Sequence, residues 1–196
     1  MKAVFGLGNP GLEYALSRHN VGFNVVDLYR KRHAPRLKAR LIGSALVYKS
    51  RDLFLVKPMT YMNASGEAVR AVIDRFRIAH QDALIVYDDL DILLGEMKIL
   101  ASGGPGSHKG MISVISALES VEIPRLRIGI GSERRPQDQV DYVLGRFTDS
   151  EWETVSSVIE RGVEAIDTFR TEDINTVMTR FNRHSQVVNN DQKAIL

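Results

Sequence analysis

A chain of 196 residues, 44% of them hydrophobic and 26% charged, has the composition of one globular domain with room for a sizeable core. It holds no cysteine, which excludes disulfides, thiolate catalysis and zinc sites built on cysteine. The net charge of +2 hides an uneven spread: residues 1–80 carry 14 Lys/Arg against 5 Asp/Glu, a net of +9, and residues 81–196 carry 12 against 19, a net of −7. No apolar stretch has the length of a signal peptide or of a bilayer span, so a cytoplasmic location is expected.

The first element in chain order is a strand over 2–7, "KAVFGL". A helix follows over 20–32, with Val21, Val25 and Leu28 on one face. Further strands are expected over 41–48 and 53–58, short apolar runs bounded by Gly, Pro or Asp. The spacing of Val69, Ile73 and Phe76 predicts a helix over 64–77. Strands over 83–88 and 96–100 come next, then a helix over 108–120 that aligns Met111, Ile115 and Leu118. After a strand over 125–131, spacings of 3 and 4 place Trp152, Val155, Ile159, Val163 and Ile166 on one stripe of a helix over 150–170. A last helix runs from Ile174 to about Phe181, and the polar stretch 185–196 is expected to fray. The alternation predicts a single α/β domain with a mixed, mostly parallel twisted sheet covered by helices on both faces.

Two glycine-rich pieces invite a nucleotide reading. Gly6, Gly8 and Gly11 fit G-x-G-x-x-G after the first strand. A dinucleotide turn also needs a helix opening at the glycines and an acid about 20 residues on. Here Pro10 interrupts the turn, and Arg30, Lys31 and Arg32 stand where the acid belongs. The second piece, "GGPGSHKG" (103–110), lacks the hydroxyl that follows the lysine of a phosphate loop.

Both pieces instead carry polar side chains just beyond a strand. The first presents Asn9, Tyr14 and His19, and the second presents His108 and Lys109. Two other strand ends do the same: "KPMTYMN" with Tyr61 and Asn63, and "VYDDLD" with Asp88, Asp89 and Asp91. Ligands of open α/β sheets collect outside the carboxyl ends of the strands, so these four ends can build one pocket. Each residue also has an ordinary structural use. His19 can satisfy the donors of the helix it precedes, and Asn63 can cap the next one. Asn9 before Pro10 is good turn chemistry. The aspartates can be solvated turn residues or magnesium ligands.

The blocks "GLGNPGLEYALSRHNVGF", "KPMTYMNASG", "VYDDLDILLG", "GGPGSHKG" and "RLRIGIG" stand in the order and spacing found in the bacterial-type peptidyl-tRNA hydrolases. The chain resembles that family from about residue 1 to 181. The resemblance implies an enzyme that cleaves the ester between a peptide, or an N-blocked aminoacyl group, and the 3′-terminal ribose of tRNA, and so recycles tRNA from aborted translation. It implies one catalytic domain, here residues 1–184, generally monomeric, with no metal and no cofactor. By position, His19 matches the family's general base and Asp88 the carboxylate that holds it. Asn9 matches the asparagine that helps separate peptidyl-tRNA from aminoacyl-tRNA. Tyr14, Tyr61 and Asn63 match substrate-contacting positions, as do His108 and Lys109 in the glycine-rich block. The family usually has Gly-His-Asn-Gly where this chain reads Ser107-His108-Lys109-Gly110, so Lys109 stands in place of an asparagine contact.

The chemistry of these side chains is consistent with those roles. Imidazole is the side chain suited to act as a base near neutral pH, a carboxylate fixes its tautomer, and carboxamides stabilise an oxyanion without bringing charge. The basic cluster Arg30, Lys31, Arg32, Arg36, Lys38 and Arg40, and the pair Arg125 and Arg127, are candidate contacts to RNA phosphates, or equally a solvated face. Two other functions stay open on the residues alone: a non-catalytic RNA-binding member of the same family, and a magnesium-dependent phosphohydrolase built on Asp88, Asp89 and Asp91.

Overall fold

The computed structural model describes residues 1–182; the stretch expected to fray, 185–196, lies outside them. Seven strands form one sheet in the order β2-β3-β4-β1-β5-β7-β6. They are β1 (Lys2–Gly6), β2 (Ala39–Ile42), β3 (Ala45–Lys49), β4 (Leu53–Pro58), β5 (Ala83–Leu93), β6 (Met97–Leu100) and β7 (Arg125–Gly131). The central strands β4, β1, β5 and β7 are mutually parallel. Antiparallel pairings close both sides, β2 and β3 beyond β4, and β6 beyond β7. Six helices complete the described fold: α1 (Val21–His33), α2 (Ser65–Phe76), α3 (Lys109–Leu118), α4 (Gln139–Leu144), α5 (Asp149–Thr171) and α6 (Ile174–Phe181).

The apolar strands are buried on both faces because successive side chains point to opposite sides. Val4, Leu53, Leu55, Leu84 and Val86 pack with α1, α5 and α6. Ala3, Phe5, Phe54, Val56 and Ile85 pack with α2 and α3. Of the stripe expected on α5, Val155, Ile159, Val163 and Ile166 are buried, whereas Trp152 stays 40% exposed beside Phe147. It sits in the first turn, held there by a reciprocal capping box between Thr148 and Glu151.

Two expectations need correction, and one element lies beyond them. The single strand over 41–48 is a hairpin, with Gly43 in the left-handed turn at φ +53° between β2 and β3. The strand at 83–88 runs on to Leu93, with a bulge between Asp89 and Leu93, so Asp88 and Asp89 stand within a paired strand rather than in a turn. Helix α4 was not anticipated: Val140, Val143 and Leu144 make a stripe too short to separate from a loop, although Asp138 caps the helix by accepting from the N–H groups of Val140 and Asp141.

The glycines of the first motif serve packing. A Cβ on Gly6 would collide with the Gly22 carbonyl, and one on Gly8 would run into the Phe23 ring. Close approach between β1 and the start of α1 therefore requires glycine at both positions. This contact brings the turn before α1 over the ends of the central strands.

Candidate active site

A cleft of about 550 Å³ opens at the carboxyl ends of β1, β4 and β5. Asn9, His19, Tyr61, Asn63, Asp88 and Lys109 all line it, and His108 stands among them. Tyr14 is the one expected contact outside the lining; it reaches the rim by an edge-to-face packing on Tyr61, with ring centroids 6.4 Å apart.

His19 occupies a short 3-10 turn, Arg18–Asn20, ahead of α1. It does not cap the helix. Its Nδ1 lies 2.8 and 2.9 Å from the two oxygens of Asp88, so Nδ1–H donates to the carboxylate and Nε2 is the free nitrogen. Arg18 anchors the same turn from the far side. Its guanidinium grips Glu151 at 2.7 and 2.9 Å, donates to the Arg146 carbonyl at 2.6 Å and stacks over Tyr142 at 4.3 Å. The turn that carries the imidazole is thereby tied to α4 and α5.

Asp88 is 1% exposed. Burial alone would raise its pKa, but the His19 and His108 imidazoles beside it outweigh that cost and hold the carboxyl well below the usual carboxylate range. His108 Nε2 stands 3.0 Å from Asp88 Oδ1. The Met111 backbone N–H donates to His108 Nδ1 at 3.2 Å, so His108 caps α3 with one nitrogen and meets Asp88 with the other.

The Asn9 loop is clamped by a residue that sequence reasoning passed over. Asn20 accepts the Asn9 N–H at 2.8 Å and donates its amide to the Asn9 carbonyl at 2.9 Å. The Met62 N–H then donates to Asn9 Oδ1 at 2.8 Å. Adjacency of Asn20 to His19 was the only signal for it in the sequence. Asn63 is exposed in the 3-10 turn Met62–Ala64 and does not cap α2, whose cap position is Ala64. Its carboxamide is left to the cleft. Helix α4 adds a wall through Gln139, Val140, Val143 and Leu144, beside the glycine-rich loop over 103–107.

The three aspartates of "VYDDLD" diverge. Asp88 faces the two histidines, Asp89 pairs with Arg127, and Asp91 reaches Arg135 at 3.4 Å. Among the described residues the one group with metal-ligand composition is His19, Asp88 and His108. Hydrogen bonds already account for both imidazole–carboxylate contacts in it.

The basic residues separate as well. Arg125 is 1% exposed and donates to the carbonyls of Gly104, Val121 and Ile123, so its donors are committed to the protein and the expected RNA contact does not hold for it. Helix α1 starts at the cleft and runs back along the sheet, which carries the 30–40 cluster toward the opposite end. There Arg32 pairs with Glu160 at 2.7 Å.

An α/β sheet that ends in a cleft with an imidazole, its buried carboxylate and carboxamides has the elements of a hydrolase. A family model described as peptidyl-tRNA hydrolase matches residues 3–190. A peptidyl-tRNA hydrolase of Synechococcus sp. (strain JA-2-3B'a(2-13)) is 44% identical over 93% of this chain and 83% of its own. One from Bacillus thuringiensis subsp. konkukian is 40% identical over 93% of this chain and 100% of its own. The crystal structure of peptidyl-tRNA hydrolase from Acinetobacter baumannii superposes with a TM-score of 0.85 at 28% identity, covering 93% of this chain and 94% of that one. The chain belongs to the peptidyl-tRNA hydrolase family. It is an enzyme of that family, whose reaction is hydrolysis of peptidyl-tRNA. Among the described residues no helix is long and apolar enough to cross a membrane.

Proposed function

We propose that His19 is the general base of this hydrolysis and that Asp88 holds it in the reactive tautomer. The supporting observation is the pair itself: Nδ1 lies 2.8 Å from a carboxylate that is 1% exposed. With Nδ1–H committed to Asp88, Nε2 takes a proton from a water as the water oxygen bonds to the ester carbonyl carbon. The tetrahedral adduct then collapses, the bond to the ribose oxygen breaks, and the imidazolium returns its proton to that oxygen. The products are a peptide carboxylic acid, which then loses its proton to solvent, and a free ribose hydroxyl. Asp88 stabilises the imidazolium between the two steps.

The donors for the developing oxyanion are carboxamides. Met62 occupies Asn9 Oδ1, so Asn9 Nδ2 is the end available to substrate, and Asn63 offers a second amide from the exposed turn opposite. Tyr61 and Tyr14 provide an aromatic rim against which the terminal base or the peptide can pack. Lys109, exposed at the first position of α3, meets the acceptor-strand phosphates. The substrate is peptidyl-tRNA acted on in the cytoplasm by a monomer, without metal or cofactor. Hydrolysis of an N-blocked aminoacyl-tRNA, followed by release of the free acid, tests the assignment; a His19→Ala variant that turns over normally refutes it.

A further inference from the structure

We propose that His108 is a positioning residue: it holds the Asp88 carboxylate in the orientation from which Asp88 holds His19. The inference rests on the His19 reading above and extends it to a second imidazole. An amide N–H can only donate, so the Met111 N–H makes His108 Nδ1 an acceptor. In the neutral ring the proton then sits on Nε2, which donates to Asp88 Oδ1 at 3.0 Å. The start of α3 thus fixes a tautomer whose remaining donor is aimed at a buried carboxylate. Asp88 receives Nδ1–H from one imidazole and Nε2–H from the other, and these are its side-chain hydrogen bonds among the described residues.

The His108 ring has little freedom to do anything else. Its side chain is 10% exposed, with both nitrogens engaged. The Tyr87 ring lies on one side with centroids 4.7 Å apart, and the His19 ring on another at 5.0 Å. A Cβ on Gly110 would come within 2.9 Å of its Cε1, so a glycine is needed behind it. The expected contact between His108 and substrate therefore has no free nitrogen to make it. A carboxylate with a single donor could swing about its Cβ–Cγ bond and take His19 with it. The second donor removes that freedom, and because the cap ties it to a helix, it does so rigidly.

Two isosteres separate the two ring nitrogens. Asparagine places an acceptor near Nδ1 and nothing at Nε2, so H108N keeps the helix cap and loses the donor to Asp88. Glutamine reaches the Nε2 position with an amide donor and has no acceptor at Nδ1, so H108Q keeps the donor and loses the cap. We expect H108N to lose roughly tenfold in kcat with KM near wild type. H108Q recovers most of that turnover while melting earlier. In a D88N background, H108N costs little more, because its effect passes through the carboxylate. If His108 only caps α3, the order reverses and H108N is the healthier enzyme. If it contacts substrate, KM rises in both. If it acts independently of Asp88, the losses in the double variant add. Each of these results overturns the inference. His19→Ala, assayed alongside, keeps the outcomes apart: an active H19A removes the general-base reading, whereas a dead H19A with a fully active H108N removes only the role of His108.

Discussion

The Met62 backbone N–H donates to Asn9 Oδ1 at 2.8 Å, and this bond decides which end of the Asn9 carboxamide the substrate meets. An amide cannot turn over in place without setting two donors against each other. The backbone of a neighbouring strand end therefore selects Nδ2 as the group offered to the ester.

Asn9→Asp keeps the shape and the bond to Met62 but presents a carboxylate oxygen where the amide donor was. A negative charge then faces the developing oxyanion. Loss of one such donor costs about 10²–10³-fold in kcat, and the charge adds to it. Single-turnover hydrolysis of an N-blocked aminoacyl-tRNA measures the effect, and a variant within a few-fold of wild type would place the oxyanion elsewhere.

Asp88→Asn should slow the reaction strongly, since an amide cannot stabilise imidazolium as a carboxylate does. It should also change how stability responds to acid. The Asp88 carboxyl is held low in the folded protein by His19 and His108 despite its burial. A depressed folded pKa contributes stability that is present above the unfolded value of about 3.9 and is lost as pH falls from there through the folded one. Denaturant midpoints taken from neutral pH downward should therefore fall more steeply for wild type than for Asp88→Asn below about pH 4. Parallel curves would contradict the coupling.

Lys109 carries a charge at the positive end of α3, where the helix macrodipole opposes it. It forms no ion pair among the described residues. An RNA phosphate would relieve that local cost. Lys109→Asn should weaken tRNA binding, leave the chemical step intact and reduce the salt dependence of binding by ~0.7 in slope for a single-strand contact. Superimposable salt titrations for the two proteins would mean that Lys109 does not touch phosphate.

Excess chelator should leave turnover unchanged. The aspartates of the β5 segment point to three different partners, which leaves the magnesium reading without a converging ligand set. Activity lost in chelator and restored by magnesium would revive it.

How far the sequence could be read follows from how local each signal was. Helix α5 is legible because 23 residues repeat one stripe, and the buried strands because their apolar runs end at Gly, Pro or Asp. The β2–β3 hairpin is less so, since its only sign is the two-residue loop Gly43-Ser44 set inside what reads as one apolar run. Helix α4 is six residues long, below the length at which periodicity speaks. His19 and Asp88 were readable as a pair only through the resemblance, because 69 residues separate them. The two nitrogens of His108 were beyond the sequence altogether: a histidine before a helix shows neither which backbone N–H it will accept nor what lies across the cleft. Asn63 misled for the same reason, since a carboxamide before a helix fits a cap whether or not a 3-10 turn intervenes.

The most direct measurement is the single-turnover rate of His19→Ala on N-blocked aminoacyl-tRNA, with tRNA affinity measured in parallel. A general base commonly contributes ~10²–10⁴-fold. The account predicts a rate lower by at least that range with affinity close to wild type. A variant that hydrolyses the ester at near the wild-type rate, or one whose only defect is weaker tRNA binding, would contradict it.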